Sequence, residues 1–478
     1  MISYAVSEKD FIDFTCDGDV LSVEAYSQSV NEDVLLGRYT LKVENGHAKL
    51  GRFVTGRDGA FLKYVGSDGS VRYCSHVAAE FNEAYPDPGT KKGLQIENVE
   101  DAIKLGAHYA ALNVSIGDYM MEGPDPEIET EEFTYLGKTY YINTKVRNAN
   151  DRKFKELTDA GVIITLIMLS GKSWRRRMQE SMHKYLLHPD YSDEANLSAF
   201  NTLTDDGVSY YQAWCAYLFN RYCGPNSEHG RVYGAIISNE VQSQWIWGNA
   251  GEKTCEEYVK GYTAALRTAY IAGASVLSSF RVYVSLDHFW AQSMDPAFPL
   301  RYYPGREVLA QINALCKREG DFFWSIAHHP YPQDLSKPDF WNDETATFSM
   351  DTMRVTFKNL EILAQWLRED CNLFEGARRR VILSEQGFNT KFTPESEILQ
   401  ACAFGRAYRK VMEIPEIDAF ILYAHYDHYG EFGLNLGMWR RIEDETQPHG
   451  FSGTKPIYDL YKVIDSKDDT GKYVWERF

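Results

Sequence analysis

Apolar and polar positions alternate in the first part of the chain. Residues 19–26 and 38–43 show this alternation, and the dipeptides Asn45-Gly46 and Asp58-Gly59 separate such runs. Alternation gives a strand one buried face and one solvated face, and these dipeptides favour tight hairpin turns. The pattern predicts a small antiparallel β-rich accessory domain over residues 1–88. We expect this domain to pack on the rest of the chain; a sugar-binding role is the alternative.

From residue 89 onward, continuous apolar runs alternate with stretches of helical periodicity. The run at 162–169 is typical of a strand that is buried on both faces, as in a parallel sheet. One intervening helix is predicted to open with a capping box at Thr254 and Glu257. The predicted strands are residues 94–96, 109–114, 162–169, 234–240, 282–286, 322–327, 381–385 and 417–423.

Eight strands in alternation with helices predict the α/β class and a (β/α)8 TIM barrel, which we place at residues 89–478. A polar insertion after the second strand contains a predicted hairpin at 133–142. No Gly-rich phosphate-binding fingerprint follows any strand, which argues against a dinucleotide-binding sheet. The helix before the seventh strand is predicted from the spacing of Met353, Phe357, Leu360, Ala364 and Leu367.

Two of the predicted strands end abruptly in a carboxylate. The fourth strand ends at Asn239-Glu240, and the seventh ends at Ser384-Glu385. Enzymes with a TIM barrel place their chemistry at the carboxyl ends of the strands. Most enzymes that cleave glycosidic bonds need a pair of carboxyl groups that face one pocket. As an alternative, such glutamates could cap helices or pair with arginine.

Composition narrows the possible partners. The net charge of −18 argues against nucleic acid or an anionic membrane as the main partner. No apolar run approaches the length of a membrane span, and the first residues lack the features of a signal peptide. We therefore expect a soluble, cytoplasmic protein, or a secreted one if a leader was trimmed. The eight cysteines show no CxxC or metal-ligand spacing, so neither a metal nor another cofactor is expected.

The placement of these two motifs resembles the clan A glycoside hydrolases, the (β/α)8 "4/7" superfamily. In that group an Asn-Glu pair follows strand four and supplies the acid/base, and a glutamate at the end of strand seven is the nucleophile. The resemblance implies that Glu240 is the acid/base, Glu385 the nucleophile, and that Asn239 binds the hydroxyl beside the reacting carbon. It therefore implies a carbohydrate substrate and net retention through a glycosyl-enzyme.

Other residues beyond strand ends are candidate substrate ligands. The resemblance extends to His329-Pro-Tyr331 after strand six, where Tyr331 would hold the nucleophile ionised and His329 or His328 would bind sugar. Indole rings beyond strand ends could stack on sugar faces, although each alone is more often a packing residue. The further candidates are Asn113, Trp245, Trp247, Asp287, His288, Trp290, His425, Asp427, His428 and Trp439.

The sequence also departs from that superfamily. Many of its members carry an arginine near the nucleophile early in the barrel, whereas strand two here ends at Asn113-Val114-Ser115. Residues 175–177 are three arginines, which could recognise an acidic sugar but are more often a solvated surface.

Two other functions remain open from the sequence. A barrel that binds glycans without cleaving them would use the same cleft. A metal-dependent barrel hydrolase usually carries His-x-His on its first strand, and no histidine occurs at residues 94–97. The sugar, the linkage, exo or endo action and the oligomeric state are not predicted, because loops determine substrate choice.

Overall fold

The structure, a computed structural model, describes residues 1–172, 178–442, 450–467, 470 and 472. The strands are β1 (Ile2–Ser7), β2 (Phe11–Cys16), β3 (Val20–Tyr26), β4 (Leu35–Lys42), β5 (His47–Gly51), β6 (Lys63–Gly66), β7 (Val71–Arg72), β8 (His76–Val77), β9 (Lys92–Leu94), β10 (Tyr109–Ser115), β11 (Met120–Met121), β12 (Thr130–Tyr135), β13 (Lys138–Asn143), β14 (Ile163–Leu169), β15 (Val232–Ile237), β16 (Arg281–Leu286), β17 (Trp324–His328), β18 (Val381–Leu383), β19 (Ile417–Leu422), β20 (Trp439–Arg441) and β21 (Phe451–Thr454).

The α-helices of the described segments are α1 (Val99–Lys104), α2 (Ile116–Tyr119), α3 (Thr144–Asp159), α4 (His183–Leu186), α5 (Asp205–Tyr222), α6 (Gln244–Trp247), α7 (Cys255–Ala274), α8 (Gly305–Glu319), α9 (Glu361–Arg368), α10 (Pro394–Met412) and α11 (Pro456–Val463). Within the same segments, no helix combines the length and apolar character that a bilayer crossing requires.

The N-terminal region forms two four-stranded sheets, ordered β5-β2-β1-β8 and β4-β3-β6-β7. Their pairs are antiparallel apart from β1 and β8, which run parallel. Alternate residues of β3 are buried, and a separate apolar core that includes Ile12, Phe14 and Val23 lies within this region. The predicted small β domain is confirmed, while its exact boundary at residue 88 stays a prediction.

The remainder is a closed barrel of eight parallel strands, in the order β9-β10-β14-β15-β16-β17-β18-β19 and back to β9. The pairing of β10 with β14 is regular from Tyr109↔Ile163 to Ser115↔Leu169. Pairing of β19 with β9 closes the ring. The predicted (β/α)8 barrel is therefore confirmed, with β15 as its fourth strand and β18 as its seventh.

Two apolar layers explain the continuous hydrophobic runs of the barrel strands. One face of each barrel strand from β10 to β19 contributes to an interior cluster that includes Tyr109, Ile167 and Ile421, and the other face packs on the surrounding helices. All seven residues of β14 are buried as a result. The strands thus hold their carboxyl ends in one fixed ring.

The structure contains the predicted hairpin and the predicted capping box, whereas the helix before the seventh barrel strand differs from its prediction. Leu136 and Gly137 link β12 to β13 with φ values of 48° and 80°, the pair of positive angles that a type I′ hairpin turn requires. The predicted capping box of Thr254 and Glu257 opens α7. The helix predicted from Met353 to Leu367 is shorter than expected: Met353 lies outside it, and α9 begins only at Glu361 after a 3-10 turn. The backbone N–H of Trp290 donates to the carbonyl of Met353, so this residue pairs with the loop after β16 instead of with a helical turn.

Candidate active site

The chain leaves the fourth barrel strand through a strained turn. After Ile237, both Ser238 and Glu240 adopt the left-handed region, with φ values of 64° and 37°. Such conformations are uncommon for residues other than glycine and persist where surrounding contacts hold them. The backbone N–H of Glu240 donates to Oγ of Ser285 on the neighbouring β16 (3.0 Å). This turn directs the carboxylate of Glu240 into the ring of strand ends.

Glu385 lies two residues beyond the seventh strand, in a tightly packed segment. The backbone N–H of Ser384 pairs with the carbonyl of His328 (3.3 Å), and Gln386 donates through Nε2 to the carbonyl of Ile421 (2.6 Å). A Cβ on Gly387 would stand 2.1 Å from the carbonyl oxygen of Tyr423, so this position admits no side chain. Neighbouring strands on both sides therefore fix the direction of Glu385.

The two carboxylates are close together. One carboxylate oxygen of Glu240, one of Glu385 and a ring nitrogen of His329 all lie within 4.8 Å of one another. Retaining glycosidases separate their two carboxyl groups by about 5–5.5 Å, and inverting enzymes by about 6.5–9.5 Å. The observed spacing matches the shorter class.

His329 links the two loops. Its Nδ1 is hydrogen-bonded to Oε1 of Glu240 (2.9 Å), and its Nε2 to Oγ of Ser384 (3.0 Å), next to Glu385. The ring is only 2% exposed, and burial lowers the pKa of His329. A neutral imidazole here can donate from one nitrogen and accept at the other, so it fits either protonation state of Glu240.

The two glutamates are in different environments. Burial raises the pKa of Glu240 to about 7. Burial also raises the pKa of Glu385, and the hydroxyl of Tyr331, which donates to Oε1 of Glu385 (3.2 Å), opposes this rise. Acid/base chemistry needs one protonated and one ionised carboxyl group, and the contact with Tyr331 favours ionisation of Glu385.

Asp287 is a third buried carboxylate beside this pair, but its oxygens are already occupied. They accept hydrogen bonds from Nε2 of Gln242 (2.5 Å), Oγ of Ser243 (2.6 Å) and the backbone N–H of Phe289 (2.7 Å). Burial and the charge of Glu240 raise the pKa of Asp287 to about 7. Gln242 and Ser243 belong to the 3-10 turn directly after Glu240, so Asp287 braces that turn.

The structure places His288 and His328 beside the site with their rings bound to the backbone. Nδ1 of His288 pairs with the carbonyl of Tyr331 (3.0 Å), and Nε2 of His328 pairs with that of Val355 (2.9 Å). Burial lowers their pKa values to about 4 and about 3, so both rings are neutral.

His425 and Trp439 are both bound to Asp101. Nε2 of His425 and Nε1 of Trp439 each lie 2.9 Å from Oδ2 of Asp101, and the hydroxyl of Tyr458 donates to its Oδ1 (2.7 Å). Trp290 is buried and donates to the carbonyl of Met350 (3.1 Å). The ring nitrogens of these three predicted ligands are therefore bound to residues other than Glu240 and Glu385, and their role in substrate binding stays a prediction.

Three further predicted ligands are Asn239, Trp245 and Trp247. Within the described residues, the half-buried amide of Asn239 has no hydrogen-bond partner. Trp247 is half-buried against the cluster that fills the barrel. The guanidinium of Arg301 covers one face of Trp245 at 3.9 Å. The arginines at 175–177 lie outside the described residues.

A cavity of about 210 Å³, here named the barrel cavity, lies at the carboxyl ends of the first, second and eighth strands. Asn113 lines it, together with residues of α3 and residues that follow the first and eighth strands. Nε2 of Gln95 donates to the carbonyl of Ser384 (3.1 Å), and the charge of Glu431 contributes to raising the pKa of Glu385. His428, a predicted candidate, lines the cavity, and its unpredicted polar members are Gln95, Glu97, Asn150, Lys153 and Glu431. Only a position after strand one or strand eight could have indicated Gln95, Glu97 and Glu431.

Fold and site together define a (β/α)8-barrel protein with paired glutamates at the ends of strands four and seven. A family model described as a family of unknown function, DUF5722, matches residues 84–475. The chain belongs to this family. No match to a curated protein was found.

Solved structures with similar folds include three glycoside hydrolases. A family 39 glycoside hydrolase from Bacteroides cellulosilyticus WH2 is 12% identical, with 96% of this chain and 81% of that chain covered and a TM-score of 0.47. A β-glucosidase from Pyrococcus furiosus is 13% identical (77% and 83% covered, TM-score 0.46). A family 1 β-glucosidase from Thermotoga maritima is 11% identical (77% and 84% covered, TM-score 0.44).

We predict that Asp287→Ala destabilises the fold because three buried donors lose their acceptor. The expected loss in the free energy of unfolding is about 1–3 kcal/mol for each donor left unsatisfied. Asp287→Asn is the matched control: its carbonyl oxygen still accepts from Gln242 and Phe289, so its loss should be clearly smaller. Urea denaturation of wild type and both variants measures the loss in the free energy of unfolding. Equal stabilities of the two variants would contradict the bracing role.

Proposed function

We propose that this protein is a retaining glycoside hydrolase that cleaves O-glycosidic bonds of an oligo- or polysaccharide. The observation that carries the proposal is the short separation of Glu240 and Glu385 at the ends of strands four and seven. The different environments of the two carboxyl groups support the division of roles. This assignment makes Glu240 the acid/base and Glu385 the nucleophile.

In the first step, the carboxylate of Glu385 attacks the anomeric carbon while Glu240 protonates the departing glycosidic oxygen. The bond between carbon and oxygen breaks, the alcohol leaves with the proton of Glu240, and a glycosyl ester forms on Glu385. The hydrogen bond from Tyr331 to Glu385 holds the nucleophile ionised before attack. After the attack, the hydroxyl of Tyr331 can donate its hydrogen bond to the carbonyl oxygen of the ester.

In the second step, Glu240 is ionised and takes a proton from water. That water attacks the anomeric carbon, the ester bond to Glu385 breaks, and the sugar leaves with its original configuration. His329 serves both steps, because its Nδ1 can accept from protonated Glu240 or donate to the carboxylate. Its second bond to Ser384 keeps the two loops in register during the exchange.

The barrel cavity is proposed to hold a part of the substrate next to the glutamate pair, because Gln95 in its wall binds Ser384, the neighbour of Glu385. Asn113, Gln95 and Glu431 offer amide and carboxylate groups to sugar hydroxyls there. The free amide of Asn239 is proposed to bind the hydroxyl beside the reacting carbon, and Trp247 to offer an apolar ring face. His288, His328, His425 and Trp439 are proposed to act on the substrate only indirectly, by holding the surrounding loops.

One observation favours a second candidate, a metal-dependent barrel hydrolase: Glu240, His329 and Glu385 could offer three ligand atoms to one ion. Against it, both nitrogens of His329 are already in hydrogen bonds. Zinc would require a nitrogen at about 2.0–2.1 Å, which breaks the bond to Glu240. We therefore expect full activity after dialysis against a chelator. Loss of activity that zinc or manganese restores would support the metal-dependent candidate.

We predict that Glu240→Gln and Glu385→Gln each abolish most turnover. Loss of the general acid/base lowers kcat by about 10²–10⁴-fold with a substrate whose leaving group needs protonation. Loss of the nucleophile should cost at least as much. Glu375→Gln, which changes an exposed glutamate paired with His76, is the control and should retain wild-type activity.

A glycan and aryl glycoside screen, with NMR of the first-formed anomer, tests the function. Retention is expected. Inversion would contradict the two-step mechanism, and wild-type binding without turnover of any substrate would favour a non-catalytic glycan-binding barrel. Wild-type activity in either glutamine variant would remove the role assigned to that residue.

The raised pKa of Glu240 predicts the pH dependence of kcat/KM. Because the acid must be protonated in the free enzyme, kcat/KM should fall as the pH rises through about 7. A dinitrophenyl glycoside needs little protonation of its leaving group, so its rate should fall less over the same range. Identical profiles for the two substrates would contradict the role of Glu240.

A further inference from the structure

A second cavity, of about 210 Å³, lies where the β domain packs on the barrel, and we name it the interdomain cavity. The loop after β3, strands β6 and β7 and helices α7 and α8 contribute to its wall. Within the described residues, its charged members are Lys63, Lys260, Arg267 and Glu319. Three cations and one carboxylate give this wall a net positive charge, although the net charge of the whole chain is −18.

Arg267 is the buried cation of this wall, with only 2% of its surface exposed. The central carbon of its guanidinium lies 4.6 Å from the ring centre of Tyr73 and 4.7 Å from that of Phe322. Its Nη1 donates to the carbonyl of Gly320 (2.7 Å), but it has no ion-pair partner among the described residues. A guanidinium stays protonated even when it is buried, so its charge normally has an anionic partner. Arg267 therefore calls for an anion from outside the chain.

Two nitrogens of Arg267 are left for such a ligand. Nε and Nη2 make no hydrogen bond within the described part of the chain, and neither atom is fully enclosed by protein. These two nitrogens form an edge that binds two oxygens at once. Arg221 uses the same edge for both carboxylate oxygens of Asp151 (2.8 and 2.6 Å), and Arg368 uses it for Glu416 (2.8 and 2.9 Å). In Arg267 this edge has no protein acceptor, and the residue lines the interdomain cavity.

The two lysines of the wall are held by weak surface ion pairs. Lys63 pairs with Asp33, and Lys260 pairs with Glu256 (2.9 Å). Both carboxylates are more than half exposed and lie outside the wall, and exposed pairs of this kind contribute little to stability. Each lysine has a flexible stem, so its ammonium group can turn toward an anion in the cavity at small cost.

We propose that the interdomain cavity binds phosphate, either as the free ion or as the phosphate group of a small metabolite. Two phosphate oxygens accept from Nε and Nη2 of Arg267, and Lys63 and Lys260 balance the remaining charge. Among the described wall residues Glu319 alone carries a carboxylate, and it is paired with Arg318 (2.8 Å). A phosphate group carries a charge of about −1.5 to −2 at pH 7, which suits this wall better than the single charge of a carboxylate.

This site is independent of the proposed hydrolysis of glycosides. A phosphate between Lys63 of β6 and Arg267 of α7 links the β domain to the barrel. Because the ligand binds only the folded arrangement, phosphate should raise the midpoint of thermal unfolding of the wild type. The rise should be clearly smaller in Arg267→Lys, and an equal rise in both proteins would contradict binding at Arg267.

Titration calorimetry with inorganic phosphate at constant ionic strength measures binding directly, and wild type should show saturable binding. Arg267→Lys keeps the charge but loses the edge that binds two oxygens, so its affinity should fall at least about tenfold. Lys260→Gln should weaken binding about fivefold. Lys155→Gln is the matched control, because Lys155 pairs with Asp159 on a helix as Lys260 does with Glu256, and its affinity should equal that of wild type.

Parallel titrations with glycerol 3-phosphate and acetate identify the ligand group. Tighter binding of glycerol 3-phosphate than of inorganic phosphate indicates a phosphorylated metabolite, and equal or weaker binding indicates the free ion. Acetate that binds as tightly as phosphate would overturn the choice of phosphate. Absence of saturable phosphate binding, or equal affinity in wild type and Arg267→Lys, would overturn the site. If Arg267→Lys does not fold, unchanged affinity in both Lys63→Gln and Lys260→Gln overturns it.

Discussion

Closure of eight parallel strands into one ring is the constraint on which the candidate site depends. Because β19 pairs with β9, no strand end can move outward without breaking hydrogen bonds to the neighbouring strands. The carboxyl ends of β15 and β18 therefore stand at fixed positions across the ring, and residues 145 apart in the chain (385 − 240) meet there. The apolar layers inside and outside the ring stabilise this arrangement.

Within that ring, the described residues adjust the two carboxylates through buried hydrogen bonds. His329 spans both loops, Tyr331 donates to Glu385, and Asp287 braces the turn after Glu240. Each of these groups is neutral, or close to its own pKa at neutral pH, so the site can exchange a proton without creating an isolated buried charge. This environment accounts for the high pKa of Glu240 and for the anion-stabilising contacts of Glu385.

The strand count and the place of the two glutamates could be predicted from sequence because buried strands read as continuous apolar runs. The direction in which the loop side chains point could not be predicted from the sequence. His425 and Trp439 follow strand eight as a site would require, yet both contact Asp101, whose α1 helix lies far away in sequence. Gln95 and Glu431 follow strands one and eight and carry no local pattern that separates them from surface residues.

The central claim is that Glu385 carries the sugar between two steps, and covalent trapping tests it most directly. The enzyme is incubated with 2-deoxy-2-fluoro dinitrophenyl glycosides of gluco, galacto, manno and xylo configuration, then analysed by intact-mass spectrometry and peptide mapping. The account predicts the mass gain of one fluorosugar, located on Glu385. A label on a different residue, or hydrolysis of the parent glycoside without any trapped ester, would contradict it.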